Sequence, residues 1–133
     1  MPAQPMTHDL RWMSRLALLA ALMDFGCVPG VPVGDCKLEV DAPVMNRSPY
    51  TYVNAEIFCP KSEDLSLDVC LQVSESGMWK DTSCCDSASG KSSYLKVLVD
   101  TCPISIGTRY RTRATAVANG SMVTVESDAV TGR

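Results

Sequence analysis

From Cys36 to Val130 the chain breaks into strand-length runs in which apolar and polar residues alternate, separated by Pro, Gly, Ser and Asn. Cys36, Leu38, Val40 and Ala42 alternate with Lys37, Glu39 and Asp41. This period of two turns one strand face to a core and the other to water, and the run is expected to be an outer strand. Tyr50 to Cys59 places Val53, Ala55, Ile57 and Cys59 on one side and Asn54 and Glu56 on the other, and it is expected to stop at Pro60, which has no N–H for a ladder. Leu65, Leu67, Val69, Leu71 and Val73 form the cleanest alternation. Ser74-Glu75-Ser76-Gly77 is turn chemistry, with Met78 to Thr82 returning beside it as a short hairpin arm. Ser93 to Thr101 turns Leu95, Val97 and Val99 inward, and Arg109–Ala118 and Met122–Val130 are joined by Asn119-Gly120, a strong hairpin signal. The pattern predicts an all-β domain of seven antiparallel strands.

Ahead of these runs, Arg11 and Arg15 precede the apolar stretch Leu16 to Met23. A basic start followed by a short apolar run predicts a helical secretory signal peptide over residues 1–30, cut before Val31, with residues 31–133 as the mature domain. The stretch is too short for a stable membrane span. Cys27 raises a second anchoring route, lipidation, although Asp24 departs from the usual lipoprotein signal.

Composition narrows the picture. A chain of 133 residues with 46% apolar residues builds one core, not two. Its net charge of −3 and the lack of a Lys/Arg cluster exclude phosphate-backbone binding, so nucleic acid is not an expected partner. Seven cysteines are many for a reducing compartment. No Cys-x-x-Cys pair occurs, and the only histidine, His8, precedes the cysteine-bearing region, so disulfides are expected and no metal site. Strand parity suggests Cys36 with Cys59, where the start of one strand lies beside the end of the next. The returning hairpin arm brings Cys84 or Cys85 to Cys70, and Cys102 takes the other of the two.

Ile106-Gly107-Thr108-Arg109-Tyr110-Arg111-Thr112-Arg113, followed by Gly120, Ser127 and Val130-Thr131, resembles the end of a fibronectin type III or immunoglobulin-like β-sandwich. The resemblance implies a seven-stranded sandwich with Tyr110 as its tyrosine corner, the ring covering the core and the hydroxyl bonding back to the preceding backbone. The wider layout is similar to small secreted proteins of actinobacteria, which implies export. Such folds carry unrelated functions, so the site has to be argued from side chains.

Catalytic chemistry finds little support in the sequence. His8 lies in the segment expected to be removed, Glu63, Asp64 and Asp68 read as solvated acids, and Cys84-Cys85 has no activating surroundings. No catalytic, cofactor or metal residues are expected, and the chain is read as a non-enzyme. Arg109, Arg111 and Arg113 share one strand face, a candidate contact surface for carboxylates or acidic glycans, or a solubilising face. Trp79, on the short arm after Gly77, is either an exposed contact residue or part of the core, and Asn119-Gly120-Ser121 is a sequon wherever glycosylation operates. The expectation is a monomeric, secreted, non-catalytic module that meets an extracellular protein or a cell-envelope glycan. The alternative is an inhibitor of an extracellular hydrolase acting through an exposed loop from Cys85 to Lys91.

Overall fold

Two of the three hairpin turns among the described residues are legible in the sequence. Ser76 and Gly77 have φ of 53° and 78°, and Asn119 and Gly120 have φ of 52° and 91°. Left-handed backbone at both central positions matches the right-handed twist of the flanking strands. The computed structural model of the chain describes residues 28–45 and 49–133. The strands are β1 (Val28–Val33), β2 (Cys36–Val40), β3 (Tyr50–Glu75), β4 (Met78–Pro103), β5 (Arg109–Ala118), β6 (Ser121–Glu126) and β7 (Val130–Thr131). All pairings are antiparallel, in the order β1-β2-β3-β5-β6, with β4 added to β3 and β7 to β5.

β3 changes neighbours along its length. Its first part, residues 50–58, lies between β2 and the end of β4, and its second part, from Leu65, lies between β5 and the beginning of β4. The β3–β4 register slips between Phe58 and Glu63, and Pro60 stands in that gap, where its missing N–H breaks no ladder bond. The sheet therefore doubles over. β1 and β2 come against β5, and β1 against β6, giving a nearly barrel-shaped arrangement of two halves around one core.

That core is aliphatic. Leu38, Val40, Val53, Ala55, Ile57, Leu67, Val69, Leu71, Ala114 and Ala116 are buried in it, and Tyr110 is its one buried aromatic among the described residues. The inward parity read from the sequence holds in β2, in both parts of β3, and in β5. The Tyr110 hydroxyl accepts a hydrogen bond from the Ser105 backbone N–H at 2.7 Å, which ties β5 to the turn before it. Gly132 packs against this corner so closely that a Cβ there would overlap the Ser105 carbonyl oxygen.

Several expectations change. The runs expected to end at Pro60 and to begin at Leu65 are one strand, because a strand that crosses from one half of a folded sheet to the other carries turn-like residues at its corner. The short arm at Met78 and the run at Ser93 are likewise one strand, so Cys85 to Lys91 is not a loop. Each of its residues from Cys85 to Lys91 pairs with β3, from Cys70 back to Asp64. Its polar composition reflects an edge strand with one ladder neighbour, exposed along most of its length. β2 is not the outer strand, since Val31, Pro32 and Val33 of β1 pair with Leu38, Lys37 and Cys36. The last expected strand divides at Ser127, whose Oγ accepts from Thr112 N–H while its N–H donates to Thr112 C=O, both at 2.9 Å.

Three disulfides staple the chain, Cys36–Cys59, Cys70–Cys85 and Cys84–Cys102. The first two join facing residues of adjacent strands. The third joins two points of β4 itself, one in each half of the sheet. Three intramolecular bridges are typical of chains matured in an oxidising compartment. The expected signal helix, His8 and Cys27 lie outside the described residues, and a cut before Val31 would fall within β1.

Candidate functional site

Two solvent faces compete as contact surfaces. On the second half, the outward residues of β4, β3, β5 and β6 form cross-strand rows, with Cys85, Cys70, Arg113 and Glu126 in one and Ser87, Asp68, Thr115 and Thr124 in the next. Arg113 and Arg111 lie here as expected, and both are engaged by neighbours. Arg113 grips Asp81 with a fork, Nε to Oδ1 at 3.0 Å and Nη2 to Oδ2 at 3.1 Å, and reaches Asp68 Oδ2 at 3.2 Å and Thr115 Oγ1 at 3.0 Å. The Arg113 fork holds the Asp81 carboxyl below the usual carboxylate range, with Gln72 Nε2 donating a further bond at 2.9 Å, while partial burial pushes the other way.

Arg111 donates to Gln72 Oε1 at 2.8 Å and lies over the Trp79 ring, 4.4 Å from its centroid. The chain Trp79–Arg111–Gln72–Asp81–Arg113–Asp68–Ser87 thus laces three adjacent strands together, with Ser87 donating to Asp68 at 2.7 Å. Arg113 uses all three guanidinium nitrogens and Arg111 its Nε on protein acceptors, which leaves Arg109 as the arginine of the trio whose side chain has no hydrogen bond or ion pair among the described residues. Of the three acids singled out by the sequence, Asp68 belongs to this network, Glu63 is buried beside the corner and Asp64 is exposed. A shallow depression of about 390 Å³ over Ser66, Asp68, Ser87 and Ser89 completes the face.

The first half presents a different surface. The parity that buries Val53, Ala55 and Ile57 turns Tyr50, Tyr52, Asn54, Glu56 and Phe58 outward. β4 sets Tyr94 opposite Phe58, Lys96 opposite Glu56 and Leu98 opposite Asn54, while β2 adds Lys37 and Glu39. Tyr50, Tyr52, Phe58, Tyr94 and Leu98 are 54, 37, 39, 42 and 47% exposed. The Phe58 and Tyr94 rings pack against each other, their centroids 5.2 Å apart and tilted at 44°, and both stay partly exposed. Tyr94 Oη donates to Glu56 Oε2 at 2.6 Å, which fixes the ring and raises the phenol above the usual tyrosine range. Toward the Tyr52 end of this face is an open depression of about 440 Å³ lined by Tyr52, Asn54, Lys96, Leu98 and Asp100.

Six aromatic side chains fall within the described residues, and four of them, Tyr50, Tyr52, Phe58 and Tyr94, stand on this one face. Aromatic rings carry the largest apolar payload available to a core. Here the core is packed with Val, Leu, Ile and Ala around a single Tyr110, while these four rings stay partly exposed.

Sequence reasoning names Asn54 and Glu56 as the outer side of this strand and passes over Tyr52 and Phe58. Their own spacing of two from those residues is the signal that could find them. Tyr94 and Leu98 join only through the β3–β4 register.

A scan against known protein families finds no matching model, and a search of curated proteins finds no significant match.

Proposed function

We propose that the protein is a secreted, non-catalytic binding module whose contact surface is the outer face of the first half, built on Tyr52, Phe58, Tyr94 and Leu98. The observation that carries this reading is the placement of four of the six described aromatic rings on one solvent face beside a core made without them. Partly exposed rings on one face suit a contact, since they bring large rigid area at low entropic cost. The three disulfides support a site of action outside the reducing cytosol. They also hold both strands of the face at their ends. Cys36–Cys59 anchors β3 next to Phe58, and Cys84–Cys102 anchors β4 below Asp100.

The arginine face is the weaker surface for this role, because two of its three guanidiniums are committed to internal partners. The hydrolase-inhibitor reading has no projecting loop at residues 85–91 on which to rest.

Co-sedimentation with isolated envelopes of the producing cells tests the proposal. The wild-type protein is expected to be retained. A Tyr52→Ser, Phe58→Ser, Tyr94→Ser variant is expected to keep its circular dichroism spectrum and lose retention, and Arg109→Ser to change nothing. Retention untouched by the triple variant would remove this face from the function.

A further inference from the structure

Resting on the proposed contact face, we infer that its ligand is an uncharged polysaccharide chain. The face intersperses apolar and hydrogen-bonding side chains. Lys37, Phe58 and Tyr94 form one row, Glu39, Glu56 and Lys96 the next, then Asn54 with Leu98, and finally Tyr52 near Asp100. A protein partner calls for a continuous dry centre from which charged groups are depleted. Here every ring has a charged or amide side chain within one row of it. A sugar ring matches this grid, because each pyranose has an apolar C–H face to lie on an aromatic ring and a rim of hydroxyls that both donate and accept.

The depression beside Tyr52 is furnished for such a rim. Asn54 offers a donor and an acceptor, Lys96 a donor and Asp100 an acceptor, beside an apolar floor of Leu98 and Tyr52. Asp100 is held in place by a 2.8 Å bond from the Thr101 backbone N–H.

Length and charge narrow the class further. From Tyr52 to Phe58 the strand advances six residues, ~20 Å at ~3.3 Å per residue, so the two ends of the face engage separate sugars of one chain. The charges on the face are Glu39, Glu56 and Asp100 against Lys37 and Lys96, and the whole chain is at −3. An acidic excess disfavours uronic, sulfated or phosphate-linked polymers.

The test uses the intact oxidised protein on isolated envelopes treated in three ways: exhaustive protease digestion, mild periodate oxidation of sugar diols, and washing at high salt. Retention is expected to survive protease and high salt and to disappear after periodate. Phe58→Ala and Tyr52→Ala are each expected to weaken it about 10-fold, the loss of one ring contact. Retention that protease abolishes and periodate spares would overturn the glycan assignment and leave the contact face standing with a protein partner. Retention lost in high salt would overturn the uncharged class in favour of an ionic polymer. Absence of retention on untreated envelopes, or retention indifferent to both substitutions, would overturn the contact-face reading itself.

Discussion

Cys84–Cys102 is the bridge that joins the two halves of the folded sheet, and its removal by Cys84→Ala with Cys102→Ala is the most direct probe of the architecture. The bridge closes a loop of 18 residues. The chain-entropy relation assigns such a loop about 3 kcal/mol at 25 °C, all of it acting on the unfolded state. The neighbouring Cys70–Cys85 loop shares only the link between residues 84 and 85, so its constraint adds to this one instead of replacing it. Cys102 is fully buried, and the gap left by its sulfur adds to the loss in the same direction. For a domain of this size about 3 kcal/mol corresponds to a drop in Tm of roughly 10–20 °C.

Urea denaturation of the oxidised wild type and the double variant measures the loss. The midpoint should fall, with m unchanged or slightly larger because the freed chain expands. Hydrogen exchange should quicken at the amides of residues 95–102, where β4 closes the first half. A loss below about 1 kcal/mol at unchanged m would refute the reasoning, since the two halves would then be held together without the staple.

Three further outcomes follow from particular side chains. Thr112 Oγ1 is buried with no hydrogen-bond partner, so Thr112→Val should stabilise the protein by about 1 kcal/mol in the same urea assay. The Asp81 carboxyl is held low by Arg113, so its contribution is present above the unfolded carboxylate value near pH ~3.9 and is lost as pH falls through the lower folded value. Asp81→Asn should therefore flatten the acid side of a stability–pH profile, modestly, because the Asp81 side chain is 45% exposed. The Tyr94 phenol should ionise above the usual tyrosine range, and Glu56→Gln should bring it back down, read as the difference in ultraviolet titration between each protein and its Tyr94→Phe counterpart.

Local physics makes much of the molecule legible in its residue order alone. The period-two alternation of Leu65 to Val73 and of Arg109 to Ala118 sets which side chains enter the core, and Ser76-Gly77 and Asn119-Gly120 mark two of the three hairpins, because these effects act within a few residues. The facing of Cys36 with Cys59 follows from the same parity once the two strands are neighbours. Tyr110 likewise bonds within its own corner, to Ser105.

What needed the tertiary structure is what depends on distant partners. Pro60 and the polar stretch Ser83 to Ser93 have loop composition, yet they lie on strands, since a folded sheet needs a corner and an edge strand needs little apolar surface. The arginine row is visible in the sequence, but Asp81, Gln72 and Trp79, which engage it, arrive from other strands through the register. The aromatic face is assembled in the same way. Tyr52 and Phe58 come from β3, Tyr94 and Leu98 from β4 some 36 to 46 positions later, and only the β3–β4 ladder sets them side by side. Residue parity can say that a side chain faces water, whereas its neighbours there are chosen by strand register and sheet curvature, which are properties of the whole chain.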